Sequence, residues 1–203
     1  MQLKYKEMKN LVLIFSVLII TASCKSQVIN IKDKNGTRQN GAYYKDVDNE
    51  LNQFEGTYQY VNGNDELTIV FKKHVHFYLT PYAEDLLLGE IKYKKNGLVL
   101  FDNLSKINDN LTNKYDHDIC GNSLLTNTGH RPVCDDCQPN QYRVSLIFFG
   151  RSNNARGGSI ILKKFTENGQ EKMKITVLYL GAISSPILDP LIPWGDYVLT
   201  RIN

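Results

Sequence analysis

The sequence predicts an all-β fold, an antiparallel meander of about eight to ten strands forming a lipocalin-like barrel or a sandwich. Three observations carry that expectation. Apolar residues alternate with polar ones over most of the chain, the period of a strand with one buried face. Asn-Gly pairs sit between the alternating runs, as tight hairpin turns require. The chain has 12 tyrosines among its 203 residues, which suits strands, and no run shows a sustained helical period.

The first 23 residues read as a secretory signal. Lys4, Lys6 and Lys9 precede an apolar run from Leu11 to Ile20, and Thr21-Ala22-Ser23 follow. The run is too short for a membrane span, which needs about 20 residues. Thr21-Ala22-Ser23-Cys24 resembles a bacterial lipobox, with Thr21 where leucine is usual. Cys24 is therefore the expected lipidation site and first residue of the mature chain. Acyl chains hold such a protein on a membrane at roughly 0.8 kcal/mol per buried CH₂. The expected location is the outer membrane, at its periplasmic face or the cell surface. Met8 begins a signal of more usual length and is an alternative start.

Residues 24–43 are polar, with Gly36 and Gly41, and read as a lipidated N-terminus and flexible tether. Residues 44–203 then form a single all-β domain. The net charge of the whole chain is +3, and the signal carries most of it. A nearly balanced remainder argues against nucleic acid or a strongly anionic molecule as the expected partner. The lysine pairs 72–73, 94–95 and 163–164 read as solvated strand ends.

Asp46, Asp48 and Glu50 alternate, but Leu51 stands where a calcium loop needs glycine, so a solvated turn or a short helix entering the first strand is expected. The opening hairpin runs from Phe54 to Lys73 around Asn62-Gly63-Asn64. Phe54-Glu55-Gly56-Thr57-Tyr58 is similar to the opening strand of lipocalin-type barrels, with Tyr58 in place of tryptophan. His74 to Tyr78 continue the alternation until Pro81. Residues 86–95 and 98–102 flank Asn96-Gly97 as a second hairpin.

Residues 103–140 are irregular, with one short strand expected near Ile119 or Leu124. Strands return at 142–149, 159–165, 173–180 and 196–202, separated by Gly/Asn turns and by Pro186, Pro190 and Pro193.

The blocks GAYYKDVDNELNQFEGTY, LTIVFKK, EDLLLGEIKYKKNG, PVCDDCQPN and YVLTRI occur in that order. Together they resemble a family of small flavobacterial secreted lipoproteins labelled only as a domain of unknown function. The resemblance implies an exported all-β domain and no substrate, cofactor or catalytic residue.

Cys134-Asp135-Asp136-Cys137 is the sharpest local motif. In an oxidising compartment one intramolecular disulfide is expected, drawn from Cys120, Cys134 and Cys137 with one end at Cys134 or Cys137. The less favoured arrangement is a zinc site assembled from His117, Cys120, His130, Cys134 and Cys137, whose spacing matches no standard finger. His74 and His76 have a chelating spacing on a strand but no third ligand nearby.

No nucleophile elbow, metalloprotease helix or phosphate loop is present in the sequence. Glu84, Asp85 and Glu90 form no catalytic pattern. The expected function is a lipid-anchored binding or envelope-structural module, not an enzyme and without a cofactor. Its partner would be an unknown protein, glycan or small apolar ligand. The competing classes are a small apolar ligand carrier and an envelope hydrolase with a site assembled from distant residues.

Overall fold

The computed structural model describes residues 26–34, 36–109, 111, 113–127, 132–149, 157–179 and 192–203. The signal, Cys24 and His130 lie outside them. Eleven strands are present among the described residues: β1 (Val28–Asn30), β2 (Tyr43–Lys45), β3 (Gly56–Asn62), β4 (Asp65–Leu79), β5 (Tyr82–Lys95), β6 (Leu98–Asp102), β7 (Ile119–Leu125), β8 (Arg143–Phe148), β9 (Gly158–Glu167), β10 (Gln170–Tyr179) and β11 (Gly195–Arg201).

Eight strands close a barrel in the order β3-β4-β5-β7-β8-β9-β10-β11, with β11 returning to β3. Every pairing around this ring is antiparallel. The barrel therefore replaces the sandwich alternative. The turns are those the Asn-Gly signals demand. Asn96 and Gly97 take φ of 51° and 82°, and Asn168 and Gly169 take 52° and 74°. These positive angles match the right-handed twist of the flanking strands.

β5 outruns the barrel at both ends. Its edge away from β4 is shared in turn by β2 at Ala83–Glu84, β7 at Leu87–Gly89 and β6 at Lys92–Lys95. β2 also pairs in parallel with β1. Of residues 24–43, expected as a tether, Val28–Asn30 and Tyr43 are thus paired in the sheet, and Ile31 and Ala42 are buried in the core. A three-residue strand is held by backbone bonds and needs no alternation, so polar composition hid it.

Alternate residues of the eight ring strands fill the interior. Tyr58, Leu67, Ile69, Phe71, Leu87, Ile91, Val144, Leu146, Leu162, Met173, Ile175 and Leu199 belong to one buried cluster. Burying each large aliphatic side chain stabilises the fold by about 1.5–3 kcal/mol. Gly89 makes room for the Phe71 ring, because a Cβ there would lie 2.8 Å from Phe71 Cε1. Leu51 and Phe54 close one end and are fully buried within that cluster. A second cluster lies outside the barrel wall, where Phe77, Leu86, Leu88 and Cys120 pack together. The single strand β7 accounts for both Ile119 and Leu124, and a bulge between Cys120 and Ser123 broke the alternation that would have revealed it.

Candidate functional site

Three polar clusters lie along β5, each centred on buried carboxylates. The first holds the barrel end. Asp46 accepts from the backbone N–H groups of Glu50 and Leu51 at 2.9 Å each and from Lys73 Nζ at 2.8 Å. Asp85 accepts from Asp46 N at 2.9 Å, His76 N at 2.9 Å and the Tyr43 hydroxyl at 2.5 Å. Burial and the Asp85 contact push the Tyr43 phenol well above its ordinary range. The turn expected as solvated therefore carries a buried carboxylate. Asp48 and Glu50 remain at the surface, both paired with Lys32.

In the second cluster Glu84 accepts from Asn122 Nδ2 at 3.1 Å, Lys34 Nζ at 3.3 Å and Lys114 Nζ at 3.4 Å. Arg38 lies 3.7 Å away and stacks over the Tyr44 ring. These contacts fasten the N-terminal segment and the loop before β7 to β5.

In the third, Glu90 Oε1 lies 2.5 Å from His117 Nδ1. Asp118 accepts from Ile91 N at 3.1 Å and from the Asn103 amide at 2.9 Å. Burial raises the Glu90 carboxyl above its ordinary range, with His117 opposing that shift. A raised folded-state pKa means that the folded chain keeps a proton which the unfolded chain has released. Glu90 then contributes most stability below its ordinary pKa of 4.5, and that contribution is lost as pH rises through the folded value. The melting temperature of the wild type relative to Glu90→Gln should accordingly fall as pH rises from the ordinary carboxyl value of 4.5. A difference that does not change as pH rises above 4.5 would contradict the raised carboxyl.

The open site lies on the opposite wall. The outward residues of β8, β9, β10 and β11 are overhung by the loop that Cys134 and Cys137 close with a disulfide of 5.4 Å Cα separation. Beneath the loop is a cavity of about 220 Å³ lined by Arg143, Ile161, Lys163, Lys174, Thr176 and Asp196 among others. It continues into a space of about 530 Å³ that shares Asp136, Lys163 and Lys174 and reaches Phe165 and Val198.

Arg143 is 3% exposed, and its Nε is buried without a hydrogen-bond partner. Its other nitrogens donate to Pro132 O at 2.7 Å and Thr126 O at 3.0 Å. Among the described residues no carboxylate forms an ion pair with it, and burial depresses the guanidinium pKa. Lys163, expected as a solvated strand end, is 7% exposed and pairs with Asp136 Oδ2 at 2.5 Å. Lys174 pairs with Asp196 at 2.9 Å. Among the described residues three cations thus face two carboxylates, and Arg143 has no carboxylate within ion-pair distance, though the charge of Asp136 acts on it.

The structure corrects the cysteine alternatives. Cys134 and Cys137 bond to each other, so neither offers a thiolate to zinc. Cys120 is a buried thiol packed with Phe77, Leu86 and Leu88, and His117 is engaged by Glu90. Among the described residues no group of three or more His, Cys, Asp or Glu is placed to hold a metal. His74 and His76 diverge at a bulge, the first ring against Phe77 and the second against Tyr43.

Sequence reasoning missed Arg143, Lys163, Lys174 and Asp136 as a set. Alternation does place Arg143 and Lys163 on outer faces, but only the folded loop reveals what covers them. Glu84, Asp85 and Glu90 left a readable signal. Three consecutive leucines at 86–88 require both faces of that strand to be covered, so the flanking carboxylates are covered too.

The profile of a Family of unknown function (DUF6705) matches residues 8–201. No curated protein and no solved structure gives a significant match.

Proposed function

We propose, for a chain that belongs to DUF6705, that it is a lipid-anchored extracytoplasmic binding module taking an acidic ligand on the outside of its barrel. The observation that carries this reading is the buried Arg143 guanidinium, which lines a groove and, among the described residues, forms no ion pair with a carboxylate. A buried charge is costly unless paired, so the groove favours an oxyanion. Asp136 shows the chemistry that suits Lys163: a carboxylate on a side chain 77% exposed, bound at 2.5 Å. An acidic glycan supplies such groups along a polar chain.

Two features weigh against the competing classes. The barrel interior is filled by its own side chains, which leaves the outer wall as the place for a ligand. The Glu90–His117 pair, the most enzyme-like contact, is at most 1% exposed and meets no substrate. Anchoring rests on Cys24 and the signal before it, and places the module on the periplasmic face or outer surface of the outer membrane.

Calorimetric titration with acidic and neutral oligosaccharides of equal length tests the groove. Acidic chains should bind, and Lys163→Glu should weaken them by about tenfold, or 1.4 kcal/mol. Stoichiometric binding of a fatty acid, unaffected by that substitution, would overturn the groove reading in favour of an apolar carrier. Anchoring has a separate test. Cys24→Ser should abolish fatty-acid labelling and membrane sedimentation, and undiminished labelling would exclude Cys24.

A further inference from the structure

The distance between Cys24 and the folded barrel is short. β1 begins at Val28, and Gln27 O already accepts from Tyr43 N at 2.8 Å. Ser26 Oγ donates to Gly41 O at 2.8 Å. Four residue steps separate Cys24 from Val28, at most about 14 Å even when fully extended. A lipid on Cys24 therefore brings β1 to headgroup depth.

The same edge presents an apolar row. Val28 pairs with Tyr43, Tyr43 with Ala83, and Ala83 with Tyr78, across β1, β2, β5 and β4. Laterally paired residues project from one face of a sheet, so the four stand in line over about 14 Å. The two ends of the line are open, Val28 at 57% and Tyr78 at 64% exposure. Val47, just beyond β2, and Val75, at the β4 bulge, are also exposed.

We propose that this row is a membrane-docking face, seated on the headgroup layer of the bilayer that receives the Cys24 lipid. The inference rests on the anchoring reading above. Tyr78 is suited to that depth, since a tyrosine ring is apolar and its hydroxyl stays with the headgroups, whereas the Tyr43 hydroxyl is turned to Asp85. Three features converge on the bilayer as the occupant: the tether is too short to hold the barrel clear, the row lies at its end, and the row's free positions are apolar.

The test uses the acylated full chain in phosphatidylethanolamine–phosphatidylglycerol vesicles with brominated acyl chains, which quench nearby tryptophan. Tyr78→Trp and Val198→Trp are compared, each after subtraction of the parent emission from Trp194. Val198 lies on β11, on the groove side, and is exposed. The added emission at position 78 should be mostly lost and that at position 198 retained. Weak quenching at both positions, in protein that floats with the vesicles, overturns the docking face and leaves the anchor standing. Protein that fails to float overturns the anchoring reading, and the docking face with it.

Discussion

Phe71→Ala is expected to destabilise the fold by about 3–5 kcal/mol, the cost of an aromatic core truncation with its cavity. The ring is 2% exposed, sits 6.4 Å from the Tyr58 ring and covers the space left open at Gly89. Neighbours cannot close that space cheaply, because the partners on both sides belong to paired strands of a closed ring. Barrel closure leaves little slack, so the site relaxes less than one at a sheet edge. Urea melts of the wild type and variant measure the effect. A loss below about 1 kcal/mol would mean that the cavity collapses and that the barrel is less rigid than its pairing implies.

Asp46→Ala should cost nearly as much, about 3 kcal/mol or more, through a different mechanism. The carboxylate satisfies two backbone N–H groups and the Lys73 ammonium at once, all within a few ångströms of the barrel end. Its removal leaves Lys73, among the described residues, with the amide oxygens of Asn52 and Asn49. Losing one member of a buried pair costs more than the pair itself contributes, because the partner stays desolvated. Asp46→Asn keeps the shape and part of the acceptor capacity, so it should recover some of the loss. Equal melting of the Ala and Asn variants would show that shape, not hydrogen bonding, holds the turn at residues 46–51.

Much of the barrel was legible because hairpins write their signals locally. Asn96-Gly97 and Asn168-Gly169 announced two connections, and alternation announced the strands around them. What escaped depends on distance in sequence. β1 is three residues long, and its position is settled by β2 and β5, up to about 55 residues away. The face of Lys163 was readable, but its burial depends on a disulfide loop that begins far from β9. Lys73 was misread for a similar reason: its alternation continues Phe71, yet its partner is Asp46 in a turn that precedes β3. The cysteine pairing was half legible. Compartment chemistry called for one disulfide, and the packing of Cys120 against Leu88 and Phe77 chose which thiols make it.

β6 has a consequence for handling the protein in solution. It pairs with β5 on one side and, among the described residues, with no strand on the other. Leu98, Val99 and Leu100, three apolar residues in succession, are exposed along it. An unpaired backbone edge carrying apolar side chains is a template for another chain, and such edges are where aggregation begins. The strand is only five residues long and Asp102 ends it, a short length and a charge that both limit growth. Concentrated protein would join there first, strand to strand, before any part of the barrel opened.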